Sequence, residues 1–336
     1  MKTKYNTHSR SKTPWDNINE LSALEIFIKS KYKDNYHQKH PTLKNSEENI
    51  LLNSFVLTSC KHCNSELFRK KGFSKNGLQR YKCKSCQKSF TILTNTIFEN
   101  HKIPITEWIE FCLNIFGYMS ISSASKSNKN SFTTTRYWLQ KIFLLLENYQ
   151  NAIVLSGNIQ IDETYYSVIT SDKILIEGKQ LRGLSKNQYC IAIGVDETQI
   201  YARLIGLGKP FQKKIKEVYL KHIEPKSHLI HDMEKSHKIL IKTLNLTEKV
   251  YNSKDLKKLV DKDNPLNKVN KQCNLLKKFL NSHSGFNRDD LNNYINLFCF
   301  IQNPPHERLE KVKILLDIAI HNTKKLKYRD FYSSNH

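Results

Sequence analysis

Apolar residues recur along this chain with two different periods. Leu21, Leu24, Ile28 and Tyr32 fall at i, i+3, i+7 and i+11 and predict a helix over 17–33. Residues 1–16 before it read as a basic lead, residues 34–46 with Pro41 as a linker, and 47–57 as one more short helix. The helical period returns after residue 103. Pro104 and Thr106 open a helix carrying Trp108, Phe111, Cys112 and Ile115, and Gly117 stops it. A short polar helix is expected at 121–127 and a longer one near 133–147, and short helices joined by tight turns suggest a helix-turn-helix. After Ser156-Gly157 the period falls to two. Strands are predicted at 158–168, 188–195, 200–207 and 228–232, with Val195-Asp196-Glu197-Thr198 as a hairpin turn. Helices follow at 210–223, 236–244, 264–282 and 288–301, the last closed by Pro304-Pro305, and then at 307–322 before a basic, aromatic tail.

The expected organisation is therefore a basic lead with N-terminal helices (1–57), a cysteine module (58–92), a helix-turn-helix-like region (103–147), an α/β domain (157–303) and a C-terminal helix with a basic tail (304–336). No run approaches the ~18 consecutive apolar residues of a membrane span, and the first 15 residues lack the apolar stretch of a signal peptide. A cytoplasmic protein without a membrane partner is expected.

Charge narrows the class. Against 31 acidic residues stand 54 Lys and Arg, a net charge of +23, which favours a polyanionic partner, nucleic acid first. Only nine of the 54 are Arg, and an AT-rich genome also enriches Lys, but such drift does not deplete acids.

Four of the eight cysteines form Cys60-x2-Cys63-x19-Cys83-x2-Cys86. Two CxxC knuckles joined by a hairpin of this length complete a tetrahedral Zn2+ site, and with every ligand position filled by thiolate the metal is structural. Arg80-Tyr81-Lys82 and Ser89-Phe90 fit the ribbon's strands. Basic residues such as Arg80 and Lys82, interleaved with Phe73, Tyr81 and Phe90, suit either a solvated face or a nucleic-acid contact. In the helix-turn-helix region Thr133, Thr134 and Arg136 start the candidate recognition helix and can reach phosphates or base edges.

Two acids sit where strands carry chemistry. Asp162 lies in Ile159-Gln160-Ile161-Asp162-Glu163-Thr164, and alternation puts it and Glu163 on opposite faces. Asp232 ends the short apolar strand Leu229-Ile230-His231-Asp232. The helix from Asn264, with Asn264 as cap and Pro265 in its first turn, buries Leu266, Val269, Cys273, Leu276 and Leu280. Asn270 and Lys277 lie ~20° apart beside that stripe, two turns from one another. Either they are boundary residues of an amphipathic helix or they line a site.

In this order the parts resemble the bacterial insertion-sequence transposases of the ISXO-like, Merlin-related DDE group, over about residues 55–305. The strings that carry the resemblance are Cys60 to Cys86, Ile161-Asp162-Glu163-Thr164-Tyr165, His231-Asp232-Met233-Glu234-Lys235-Ser236-His237, and Val269-Asn270 through Leu275-Leu276-Lys277-Lys278-Phe279-Leu280. The stretch Asp290 to Phe298 is similar to the family's post-catalytic helix. The resemblance implies an RNase H-like fold, a mixed five-stranded sheet with flanking helices, preceded by the zinc ribbon and helix-turn-helix region. It implies Asp162 and Asp232 as catalytic acids, Asn270 where many relatives have Glu, and Lys277 as the following Lys; Cys273, Asn274, Asp261 and Asp263 remain alternatives for the third position. It further implies Mg2+ or Mn2+ held by Asp162, Asp232 and Asn270, with Asp162 bridging two ions about 3.5–4 Å apart. Water would then free a 3′-OH at the element's end, and that hydroxyl would attack target DNA. The implied partners are double-stranded DNA, as terminal inverted repeats and target, and further copies of the chain on that DNA, near the nucleoid of a bacterium. Asn270 also fits a second reading, a catalytically inactive or domesticated zinc-ribbon DNA-binding protein.

Overall fold

The computed structural model describes residues 47–333 apart from 182, 184 and 257; the expected basic lead, first helix and linker lie outside the described residues. The chain divides into two units, Met1–Leu145 with Arg308–His336, and Leu146–Glu307.

The first unit opens with α1 (Glu47–Ser54) and a three-stranded antiparallel sheet in the order β1 (Phe68–Phe73), β2 (Gln79–Cys83), β3 (Ser89–Thr91). Period-two alternation sorts this ribbon into two faces. Phe68, Tyr81 and Phe90 pack on Cys60 and Cys83, with Tyr81 stacked on Phe90 at 5.5 Å. Arg69, paired with Lys82, and Arg80, paired with Thr91, take the other face. Three helices follow: α2 (Ile105–Phe116), α3 (Ile121–Ser127) and α4 (Phe132–Leu146). The Ser120 hydroxyl accepts from Ser123 N and caps α3; the Ser131 hydroxyl accepts from Thr134 N and caps α4. Between them Asn128 accepts from the Asn114 side chain at 3.1 Å and donates to the Glu107 carbonyl at 2.9 Å, which ties the turn to α2. The helix Arg308–His321 also packs on α2, so the C-terminal stretch belongs to this unit.

The second unit is built on β4 (Asn158–Ser167), a small hairpin of β5 (Leu175–Ile176) and β6 (Lys179–Gln180), then β7 (Gln188–Val195), β8 (Ile200–Leu207), α5 (Gln212–Tyr219), β9 (His228–Asp232), α6 (Lys238–Leu244), β10 (Thr247–Tyr251), α7 (Ser253–Leu256), α8 (Asn267–Ser282) and α9 (Leu291–Gln302). Five strands form one mixed sheet in the order β10-β9-β4-β7-β8. β4, β7 and β8 are an antiparallel meander, and β9 and β10 add in parallel beside β4. A three-stranded meander extended by two parallel crossover strands on the side of its first strand is an RNase H-like sheet. β4 alternates, with Ile159 and Ile161 buried on the face covered by α5 and α6, together with Leu155, Tyr219, Leu229 and Leu240. The other face meets α8 along β4 and β7, and α9 along β8. Gly194 on β7 is there because a Cβ would stand 2.6 Å from Leu155 Cδ1 and 3.2 Å from Tyr219.

Three expectations shift. β10 and the β5–β6 hairpin are additional strands; both are exposed and carry no apolar alternation to announce them. α8 begins at Asn267 rather than Asn264. Asn264 spends its side chain on Leu266 N at 2.9 Å, an Asx turn that competes with helix, so Leu266 becomes the N-cap residue. Among the described residues no helix is long and apolar enough to cross a membrane.

Candidate active site

The parallel β4–β9 ladder runs to the pair Gln160 and Ile230. Two residues further on each strand stand Asp162 and Asp232, so strand register alone brings both acids to matching positions on one face. Both are half-buried. Asp162 accepts from its neighbour Glu163 N at 2.8 Å, and Asp232 from Glu234 N at 3.0 Å. Burial pushes the Asp162 carboxyl up to about 7; the negative charges of Glu163 and Asp232 add to this, and the Glu163 N–H and His237 oppose it.

α8 is fastened to the same strand. Gln160 Oε1 accepts from Val269 N at 3.1 Å, satisfying one of the helix's first-turn donors. At the other end Tyr166 donates to the Leu280 carbonyl at 3.4 Å. Asn270 follows Val269 at the docked end, half-buried; its backbone N–H donates to the Leu266 carbonyl at 3.0 Å, and its side-chain amide makes no hydrogen bond among the described residues. Cys273, one turn on, is buried; burial and then the Asp162 charge push its thiol far up, so it stays neutral. Lys277, a further turn along, is exposed and makes no ion pair among the described residues. Two carboxylates and an uncommitted amide oxygen are hard donors of the kind Mg2+ and Mn2+ take, and a buried acid raised by like charges gains most from a nearby cation. The donor set fits the expected metal.

The four cysteines of the first unit fit theirs. Cys60 and Cys86 sulfurs lie 3.8 Å apart and those of Cys63 and Cys83 3.6 Å apart, all four within 4.8 Å of one another. Thiolates ~2.3 Å from a tetrahedral zinc stand ~3.8 Å apart. The backbone N–H groups of Cys86 and Ser85 pull the Cys83 thiol down to about 6. In the same unit Arg80 and Lys82 lie side by side on the outer ribbon face. At the start of α4 Thr133 and Thr134 are half-buried, Thr134 bonded to the Ser131 hydroxyl at 2.9 Å, and exposed Arg136 sits 5.8 Å over the Phe331 ring. The candidate DNA contacts thus belong to the first unit and the candidate catalytic residues to the second.

One cluster was not anticipated. On the α6 face, behind the acids, Glu163 bonds His237 Nε2 at 2.8 Å, His237 Nδ1 faces His231 Nδ1 at 3.0 Å, and His231 Nε2 bonds Glu248 at 3.3 Å. Burial lowers His237, but the Glu163 carboxylate outweighs it and the imidazole is held above its ordinary value; burial and then the His237 charge lower His231. The alternation that turned Glu163 away from Asp162 held the signal, because a buried Glu needs a cationic partner.

No family model matches the sequence, and no curated protein matches it. Similar solved structures include a simian T-cell lymphotropic virus intasome in complex with PP2A regulatory subunit B56 gamma (11% identity, 57% of this chain and 66% of that one, TM-score 0.29). A pre-cleavage Mos1 transpososome is 11% identical over 64% of this chain and 78% of its own, with a TM-score of 0.23. A Mos1 mariner paired-end complex with Mn is 12% identical over 63% and 78%, with a TM-score of 0.22. At these scores the fold rests on the strand order and directions given above.

Proposed function

We propose that the chain is a DNA transposase that cuts at the ends of its own element and joins them to target DNA. The observation that carries this reading is the pair Asp162 and Asp232, at matching positions on neighbouring parallel strands of an RNase H-like sheet, faced by a helix pinned through Gln160. Asp162, Asp232 and Asn270 would hold the divalent metal, which when bound supplies Lewis-acid charge for phosphoryl transfer and a more acidic water. The carboxylates and the amide keep that charge where a phosphate enters. Lys277, exposed and uncommitted, meets the phosphate as a point charge. Cys60, Cys63, Cys83 and Cys86 hold structural zinc. Arg69, Arg80 and Lys82 on the outer ribbon face, with Thr133, Thr134 and Arg136 at the start of α4, grip duplex DNA. Several such contacts release counterions, so affinity falls steeply with salt. Two element ends call for more than one copy of the chain on DNA.

The test is strand cleavage of DNA carrying the inverted repeats that flank the gene, in Mg2+ or Mn2+. Asp162→Asn and Asp232→Asn should abolish cutting and leave binding of the ends intact; Asn270→Ala should do nearly the same, and Lys277→Ala should slow it. A second reading, a zinc-ribbon DNA-binding protein whose catalytic unit is silent, is favoured by the amide at Asn270. Wild-type protein that binds its ends and never cuts them in either metal would decide for that reading.

A further inference from the structure

His231 and His237 present their Nδ1 atoms to one another at 3.0 Å, and on each ring the other nitrogen is committed to a carboxylate, Nε2 of His237 to Glu163 and Nε2 of His231 to Glu248. Carboxylates accept only, so each Nε2 carries its hydrogen and donates it outward. That leaves the two Nδ1 atoms to share a single hydrogen in a buried site, a place that a metal ion can take instead. Asp232 supplies a third donor, since its carboxylate and one nitrogen of each ring lie within 4.8 Å of one another.

We propose that His231 Nδ1, His237 Nδ1 and Asp232 form a second, nitrogen-rich site for a divalent ion of the zinc class, separate from the cysteine ribbon. A His that ligates metal characteristically donates its remaining N–H to a carboxylate, which fixes the tautomer and raises the basicity of the ligand nitrogen. Here both rings are backed in that way. Two nitrogens each ~2.1 Å from one tetrahedral ion stand ~3.4 Å apart, so the rings need part by only a few tenths of an ångström from the 3.0 Å found to admit it. Two imidazoles select zinc-class ions over Mg2+, which takes oxygen ligands. In the metal-free protein a proton shared by the pair does the ion's work; on binding it leaves to buffer. Ion binding here does not depend on the transposase reading. If that reading holds, an ion at this site draws on Asp232 from behind and competes with the cation needed for cutting.

The test is metal stoichiometry on the full chain, purified with its ribbon zinc-filled and equilibrated with buffered free Zn2+. Wild type should hold two zinc equivalents, and His231→Gln one. Glu248→Gln, at a half-exposed position, should need 10–100-fold more free Zn2+ to fill the second equivalent. With Co2+ in place of Zn2+, the second equivalent should add weak ligand-field bands without thiolate charge transfer. The proposal is overturned if wild type stops at one equivalent, in which case a proton is the pair's sole occupant. It is equally overturned if the second equivalent fills unchanged in Glu248→Gln, because the ion is then bound elsewhere. If His231→Gln does not fold, Glu248→Gln and the cobalt spectrum decide.

Discussion

Gln160 and Val269 lie 109 residues apart in sequence, and the side-chain oxygen of the first accepts the backbone N–H of the second at 3.1 Å. The bond joins the strand that carries Asp162 to the first turn of the helix that carries Asn270 and Lys277. A helix otherwise leaves its first N–H groups unpaired; here one of them is used to set the helix against the strand.

Removing that acceptor should therefore cost more in activity than in stability. Gln160→Met is expected to lose about 1 kcal/mol of unfolding free energy, read by denaturant titration. Cleavage of element ends should fall by a larger factor, because Asn270 sits on the turn released. Equal losses in the two measurements would mean that the bond only stabilises.

Asp162 gives a pH prediction. Its folded value, raised to about 7, lies above the unfolded one. The stability tied to its neutral form is complete below about pH 4 and is lost as pH rises through about 7. Asp162→Asn needs no ionisation and should raise Tm at pH 8 by several degrees, at about 2–4 °C per kcal/mol, with little change at pH 4. Saturating Mg2+ should raise the Tm of wild type at pH 8 and leave that of Asp162→Asn unmoved. Thermal unfolding at the two pH values, with and without metal, checks both.

The strands of the sheet were legible because each buries an apolar face: Ile159 and Ile161 alternate, and β7 reads as a nearly continuous apolar run because it lies between β4 and β8 and is buried on both faces. β10 was not, since Thr247-Glu248-Lys249-Val250-Tyr251 is an exposed edge held by backbone pairing to β9, which leaves no periodic trace. Asp162 and Asp232 could be singled out one strand at a time. That they meet depends on the parallel register of β4 and β9, which periodicity does not encode. The pairing of Glu163 with His237 depends on a third element, the turn before α6, and was invisible for the same reason.

Gly194 marks a place where the sheet accepts no side chain. Gly194→Ala should destabilise the second unit by about 1–3 kcal/mol through overpacking, because its Cβ would lie 2.6 Å from Leu155 Cδ1. Adding Leu155→Val should recover part of the loss. A double-mutant cycle in denaturant measures the coupling, and strict additivity would show that the two do not touch.

The ribbon has a core of three buried residues, Cys60, Cys83 and Phe90, under partly buried Phe68, Tyr81 and Leu57. A module this small relies on its metal. Cys83→Ser, or chelation of wild type, should lower zinc content and speed amide exchange over residues 58–92, with protection of β4 and β7 unchanged. A full ribbon equivalent of zinc retained in Cys83→Ser would refute the four-cysteine site.

The two strands bearing Asp162 and Asp232 are neighbours in space and 70 residues apart along the chain, and Asn270 follows later still. Contacts of such long sequence separation form late, after the meander of β4, β7 and β8 has paid the loop-closure cost. A chain emerging from the ribosome exposes its cysteine ribbon and its capped helices early, and its acids remain apart until β9 docks. A chain that ends before α8 also lacks Arg308–His321, which packs on α2, so neither unit is complete until the C-terminal stretch has been made. The last residues translated therefore complete the unit that was begun first, and the ribbon unit finishes only after the whole of the second unit has been synthesised.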